Sequence, residues 1–157
     1  MGVAIGFQPD LIVTRSDGTE LLLVVTVGRD EADRAHVEGP LKQYMRMTSC
    51  PVGMLVVPSK VWIYRNRYLS NPQESVQASG PFWPEGSLPR SFVGTGPRAE
   101  WAARYPFVQE VRRWLENLNA PGALNALNPD LRSAVSDYLL PVLAEGELRA
   151  GVPRRMP

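Results

Sequence analysis

Few side chains in this sequence are able to do chemistry, and their types narrow the choice at once. There is one cysteine, Cys50, and one histidine, His36. A single thiol makes no intrachain disulfide and no multi-cysteine zinc site, and a single imidazole argues against zinc enzymes and Ser-His-Asp triads. What remains is carboxylate and cation chemistry. Asp10 stands immediately ahead of a β-branched run, and Asp30, Glu31 and Asp33 form an acidic stretch after the next apolar segment. From Lys42 to Gln73 there are five basic residues (Lys42, Arg46, Lys60, Arg65 and Arg67) and no acidic one. Trp62, Tyr64 and Tyr68 are interleaved with them. Cations with aromatics suit phosphate contact and base stacking, so this stretch is a candidate nucleic-acid surface. Strand alternation offers the plainer reading, with at least one of Trp62 and Tyr64 facing the core.

The elements that must position these residues are legible in part. Asp10 to Arg15 reads as a strand, Asp17-Gly18 as a hairpin turn, and Glu20 to Val27 as the return strand. The return strand is apolar nearly throughout, which suits a central position covered on both faces. Pro40 fits the first turn of a helix in which Leu41, Tyr44, Met45 and Thr48 share a face, with Lys42 and Arg46 on a neighbouring one. Val52 to Val57 and Val61 to Tyr64 are two further strands. Residues 67–106 form a Pro/Gly-rich connection, irregular but partly packed, with Phe82, Trp83 and Phe92 as anchors. Residues 107–157 read as a helical segment with apolar stripes at Phe107, Val111, Trp114, Leu115 and Leu118 and at Leu131, Val135, Leu139 and Val142; Pro141 should kink or shorten the second helix. The expected fold is α/β: a small mixed sheet of about four strands with a flanking helix in residues 1–66, followed by the connection and the helices.

Pro9-Asp10, the hairpin at Asp17-Gly18, the strand Leu22 to Val27, and Gln43-Tyr44-Met45-Arg46 leading to Gly53 to Val57 resemble the PD-(D/E)XK superfamily, the restriction endonuclease-like nucleases. The closer likeness is to the nuclease domains of type I restriction motor subunits. The resemblance spans roughly residues 7–65. It implies that Asp10 and an acidic residue on the next strand bind Mg²⁺, with a Lys two positions beyond. Here those two positions are Thr26 and Gly28, which supply neither a charged ligand nor an ammonium. The motif is degenerate.

Two readings follow. In one, the chain is a catalytically inactive module for binding or assembly, associated with DNA or another partner. In the other, it is a Mg²⁺-dependent endonuclease whose ligands have migrated to Asp30 or Glu31, with Lys42 as the displaced cation and Gln43 as the helix Gln found in some such enzymes. A charge run of this kind is also an ordinary solvated loop. A structural, homo-oligomerising protein is a third alternative. The family's core usually begins with a helix, and nine residues precede Asp10, so one sheet flank is expected to be uncovered and to drive homodimerisation or capture of a partner. Cys50 reads as a small buried hydrophobe and His36 as a surface residue. Gly94-Thr95-Gly96 lacks the context of a phosphate cradle. The formal net charge is +1, which excludes a globally basic coat. No stretch is apolar enough to span a bilayer, and the first five residues lack a signal-peptide pattern, so a cytoplasmic location is expected.

Overall fold

The computed structural model describes residues 7–58, 60–70, 72–84 and 96–151, with backbone alone at 72–73 and 96–104. Six strands form one mixed sheet: β1 (Leu11–Arg15), β2 (Leu21–Val27), β3 (Val52–Val57), β4 (Lys60–Asn66), β5 (Val76–Phe82) and β6 (Gly146–Ala150), in the order β5-β4-β3-β2-β1-β6. Strands β2 and β3 run parallel and are joined by α1 (Arg34–Thr48); every other pair is antiparallel. The mixed α/β class read from the sequence is the class observed. The first turn forms as the Asp-Gly pair demands, with Gly18 at φ +77° and the Gly18 N–H donating to the Arg15 carbonyl.

Alternation along the strands sends side chains to two cores. On one face Leu11, Val13, Leu23, Val25, Met54, Val56, Val61 and Ile63 pack against the C-terminal helices through Phe107, Val111, Leu115, Leu131 and Leu139. On the other, Val24, Leu55, Val57, Trp62 and Tyr64 meet Leu41 and Met45 of α1, with Cys50 buried beside them. Both faces of β2 are therefore covered, as its unbroken apolar run requires. The flank that the sequence leaves bare is covered as well. It lies under α3 (Gly96–Asn117) and the run formed by α4 (Pro129–Ala134), a π-helical turn at Val135–Leu139 and α5 (Leu140–Glu145). An open flank is thus no longer a reason for a homodimer.

Four expectations need correction. The sheet has six strands, because the connection and the C-terminal segment each contribute an edge strand. Residues 67–106 are not irregular throughout: α2 (Pro72–Ser75) leads into β5, and α3 starts at Gly96. Pro81 is tolerated because β5 is an edge strand and the pairing with β4 shifts between Val61 and Ile63, opposite Gly80-Pro81. Gly80 is required there, at φ +123°, since a Cβ would lie 2.9 Å from the Val61 carbonyl oxygen. The first helix begins at Arg34, which puts Pro40 inside it; Pro40 is exposed, and the preceding turn is tied by Arg34 to Glu38. Finally, β6 ends the segment read as wholly helical. Pro141 does not end the helical run, which continues to Glu145; lacking an N–H, it follows a turn in which the Leu140 N–H reaches back five residues to the Val135 carbonyl. Phe92 and Gly94-Thr95 lie outside the described residues. Among the described residues no helix is long and apolar enough to cross a membrane.

Candidate functional site

Asp10 and Thr26 lie on the α1 side of the sheet, at the end where β2 gives way to the acidic loop. Asp10 is 7% exposed. Its Oδ2 accepts the Val27 N–H at 2.8 Å and faces the Thr26 hydroxyl at 3.5 Å. The Asp10 main chain is knitted into the sheet too, its N–H donating to Val25 and its carbonyl accepting from Gly151. The carboxylate thus serves as a bracket between β1 and β2. Gly28, two residues beyond Thr26, donates to the Val56 carbonyl. A Cβ at Gly28 would sit 3.1 Å from both Asp33 Cβ and Val57 Cγ1. The position has no ammonium and little room for one.

The acidic stretch is engaged with itself. Asp30 caps the short 3₁₀ turn Glu31–Asp33 by accepting the Asp33 N–H. Glu31 pairs with Lys60 across the strand end. Asp33, in contrast, lies against Gly28, and its Oδ2 accepts the Arg29 N–H at 2.6 Å. The acid brought beside the degenerate motif is therefore Asp33 rather than Asp30 or Glu31. Among the described residues no three His, Cys, Asp or Glu side chains gather as a metal ion would need.

Over the middle of the sheet α1 carries a polar cluster. The Arg34 guanidinium lies 4.9 Å from the centre of the Trp62 ring and donates to Glu38 Oε2, which also accepts the Tyr64 hydroxyl at 2.7 Å. Trp62 and Tyr64 both face this way and are buried, so neither is available to stack on a base. Burial pushes the Tyr64 hydroxyl well above its usual range, and the Glu38 carboxylate adds to this. Partial burial pushes the Glu38 carboxyl up, but the Tyr64 hydroxyl, Arg34 and the nearby Lys42 outweigh it and hold Glu38 below its ordinary 4.5. A depressed folded value stabilises the fold above about pH 4.5, and the contribution disappears as pH falls through it. Glu38→Gln should therefore flatten the acid limb of a melting-temperature profile below that pH. Because the group is partly exposed, the difference is expected to be about 1 kcal/mol or less. Parallel acid limbs for the two proteins would contradict this.

Gln43 and Arg46 are elsewhere. With Met47, Asn66, Tyr68 and Leu69 they line a cleft of about 410 Å³ where the end of α1 meets the β4–β5 connection. The register aligns Thr26 with Leu55 and Trp62, and Leu23 with Val52 and Arg65. Asn66 is thus about four residues along the strands from Asp10, roughly 13 Å at the usual rise. The basic residues do not form one surface. Lys60 is at the Asp10 end, paired with Glu31. Arg65 is on the opposite sheet face, over the Tyr138 ring at 5.3 Å. Lys42 sits beside Glu38, while Arg46 and Arg67 are exposed near the cleft. Sequence reasoning missed Asn66, Met47 and Leu69. The signal for Asn66 is a lone amide closing β4, next to the buried run Val61 to Tyr64.

His36 is exposed, and Cys50 is buried with its thiol pushed up to about 12 by burial, which makes it a poor nucleophile. No family model, curated protein or solved structure matches the chain.

Proposed function

We propose that the chain is a catalytically inactive module of the PD-(D/E)XK-like kind that works by binding or assembly. The observation that carries this reading is the use of Asp10: its Oδ2 accepts the Val27 N–H at 2.8 Å beside a neutral Thr26 hydroxyl. Mg²⁺ at this place would be held by several oxygens, with carboxylates to balance its charge. One carboxylate already bound to the backbone and a Thr hydroxyl are a poor fit to that need. Gly28 gives nothing to orient a water or to neutralise charge on a phosphate, and its surroundings are closed by Asp33 and Val57.

One observation favours the alternative of an active Mg²⁺-dependent nuclease. Asp33 packs on Gly28, so it would be the migrated acid. Calorimetry with Mn²⁺ and cleavage assays on plasmid and single-stranded DNA decide between the two. The expected result is no saturable Mn²⁺ binding and no cutting. Metal-dependent cutting abolished by both Asp10→Ala and Asp33→Asn would replace the inactive reading with the active one.

A further inference from the structure

The cleft at the far end of α1 brings together unpaired cations and exposed apolar side chains. Among the described arginines, Arg15, Arg29, Arg34, Arg112, Arg113 and Arg149 each face a carboxylate. Arg65 lies on the Tyr138 ring, and Arg132 donates to the Leu124 and Leu127 carbonyls. The guanidiniums of Arg46 and Arg67 have no such partner among the described residues. Arg46 lines the cleft, and Arg67 falls between two residues that also line it. Among the described residues, three of the five exposed large apolar side chains are here too: Met47, Leu69 and Tyr68, the last 60% exposed.

The floor under them is fixed. Asn66 is buried, donates to the Met45 and Cys50 carbonyls, and accepts from the Tyr68 N–H and the Ser75 hydroxyl. All its hydrogen-bonding capacity is used, so the amide serves as a brace. It holds Tyr68 at φ +55°, where a bulky residue is strained, and the Tyr68 hydroxyl is tied to the Ser49 carbonyl. The result is an aromatic ring presented to solvent beside an unpaired guanidinium and the amide of Gln43.

We infer that this cleft binds a nucleotide unit, with the base on the Tyr68 ring and the phosphate on Arg46. Stacking on an exposed ring is indifferent to base identity, and a guanidinium fork suits phosphate oxygens. Gln43 offers both a donor and an acceptor to a base edge. A space of about 410 Å³ is at the small end of ligand sites and suits a nucleotide better than a folded domain. The unit would come from a free nucleotide or from a single strand. The inference takes from the preceding reading only that the chain binds, and its test is run in EDTA, so that metal-dependent cutting and binding at this cleft are scored separately.

Calorimetry with AMP and fluorescence anisotropy with labelled oligothymidylate and oligouridylate provide the test, with polyglutamate as competitor. Saturable binding of AMP identifies a free nucleotide as ligand, and binding of the oligomers alone identifies a strand; either supports the inference. Arg46→Gln should weaken that binding by about tenfold, the usual worth of a charge-assisted contact. Tyr68→Ala should weaken it by at least about fivefold, and Tyr68→Phe should preserve most of it. Lys60→Gln, at the opposite end of the sheet, should have no effect. Melting curves establish that each variant is folded, and Arg46→Gln, on an exposed helix position, keeps the test open if Tyr68→Ala is not. Absence of binding to every probe, equal loss with Lys60→Gln, or equal competition by polyglutamate would each overturn the inference.

Discussion

Thr26→Glu combined with Gly28→Lys writes the missing nuclease charges back into the chain, and the expected result is loss of the fold rather than gain of activity. Thr26 is 3% exposed and its hydroxyl is 3.5 Å from Asp10 Oδ2. An introduced carboxylate there is buried next to one that already exists. Two like charges at such a distance in a dry environment cannot both be ionised cheaply, and the burial of an uncompensated charge costs about 3–5 kcal/mol. The lysine gives little relief. Its Cβ would begin 3.1 Å from Asp33 Cβ and Val57 Cγ1, so the chain must shift before an ammonium can reach the pair. Overpacking of this sort costs a further ~1–3 kcal/mol. Denaturant unfolding should place most of the loss in Thr26→Glu alone. The sign with pH is also fixed. The introduced carboxyl has a raised folded value, so this variant should recover stability as pH falls, where the added proton removes the repulsion. A double variant as stable as the parent, and cutting DNA with Mn²⁺, would show that the site has kept room for a metal.

The parts of this structure legible in the sequence are those where local pattern and burial agree. Asp17-Gly18 makes its turn, β2 is covered on both faces, and Leu41 and Met45 face the sheet from α1. The edge strands were not legible because edges follow a different rule. Gly146 to Ala150 is short and carries two charges in five residues, yet it pairs with β1 along its whole length because that edge was open. Gly80-Pro81 reads as a break and is absorbed where the β4–β5 register shifts.

The candidate site divides for geometric reasons. Sequence proximity placed Lys60, Arg65 and Arg67 together with Trp62 and Tyr64, but alternation sends residues 60, 62 and 64 to one face and 65 to the other. Trp62 and Tyr64 share the face of α1, where Arg34 lies over the Trp62 ring and Glu38 accepts the Tyr64 hydroxyl. Only Tyr68, beyond the end of β4, escapes into solvent near a free cation. Asp10 was legible as a position and not as a role, since its role depends on whether its oxygens are still available. That can be measured.

Asp10→Ala is expected to destabilise the chain, by about 1–3 kcal/mol, because it strips a buried backbone donor of its acceptor. The donor is the Val27 N–H, 2.8 Å from Oδ2 at the junction of β1 and β2. Asp10→Asn keeps an oxygen acceptor in place and should cost less. The sign is what carries information. Where several acidic side chains are gathered for a metal, they repel one another, and neutralising one relieves that repulsion when the metal is absent. A carboxylate that instead serves as a bracket for the main chain has no repulsion to relieve, so its loss can only weaken the fold. The same experiment repeated with Mn²⁺ gives an independent reading. A ligand that binds the native state raises its melting temperature in proportion to occupancy, and the parent protein should show no such rise at this site. Asp10→Ala equal to or more stable than the parent in EDTA would sink the bracket. So would a Mn²⁺-dependent rise in the parent's melting temperature that Asp10→Ala abolishes, since it would return Asp10 to the metal.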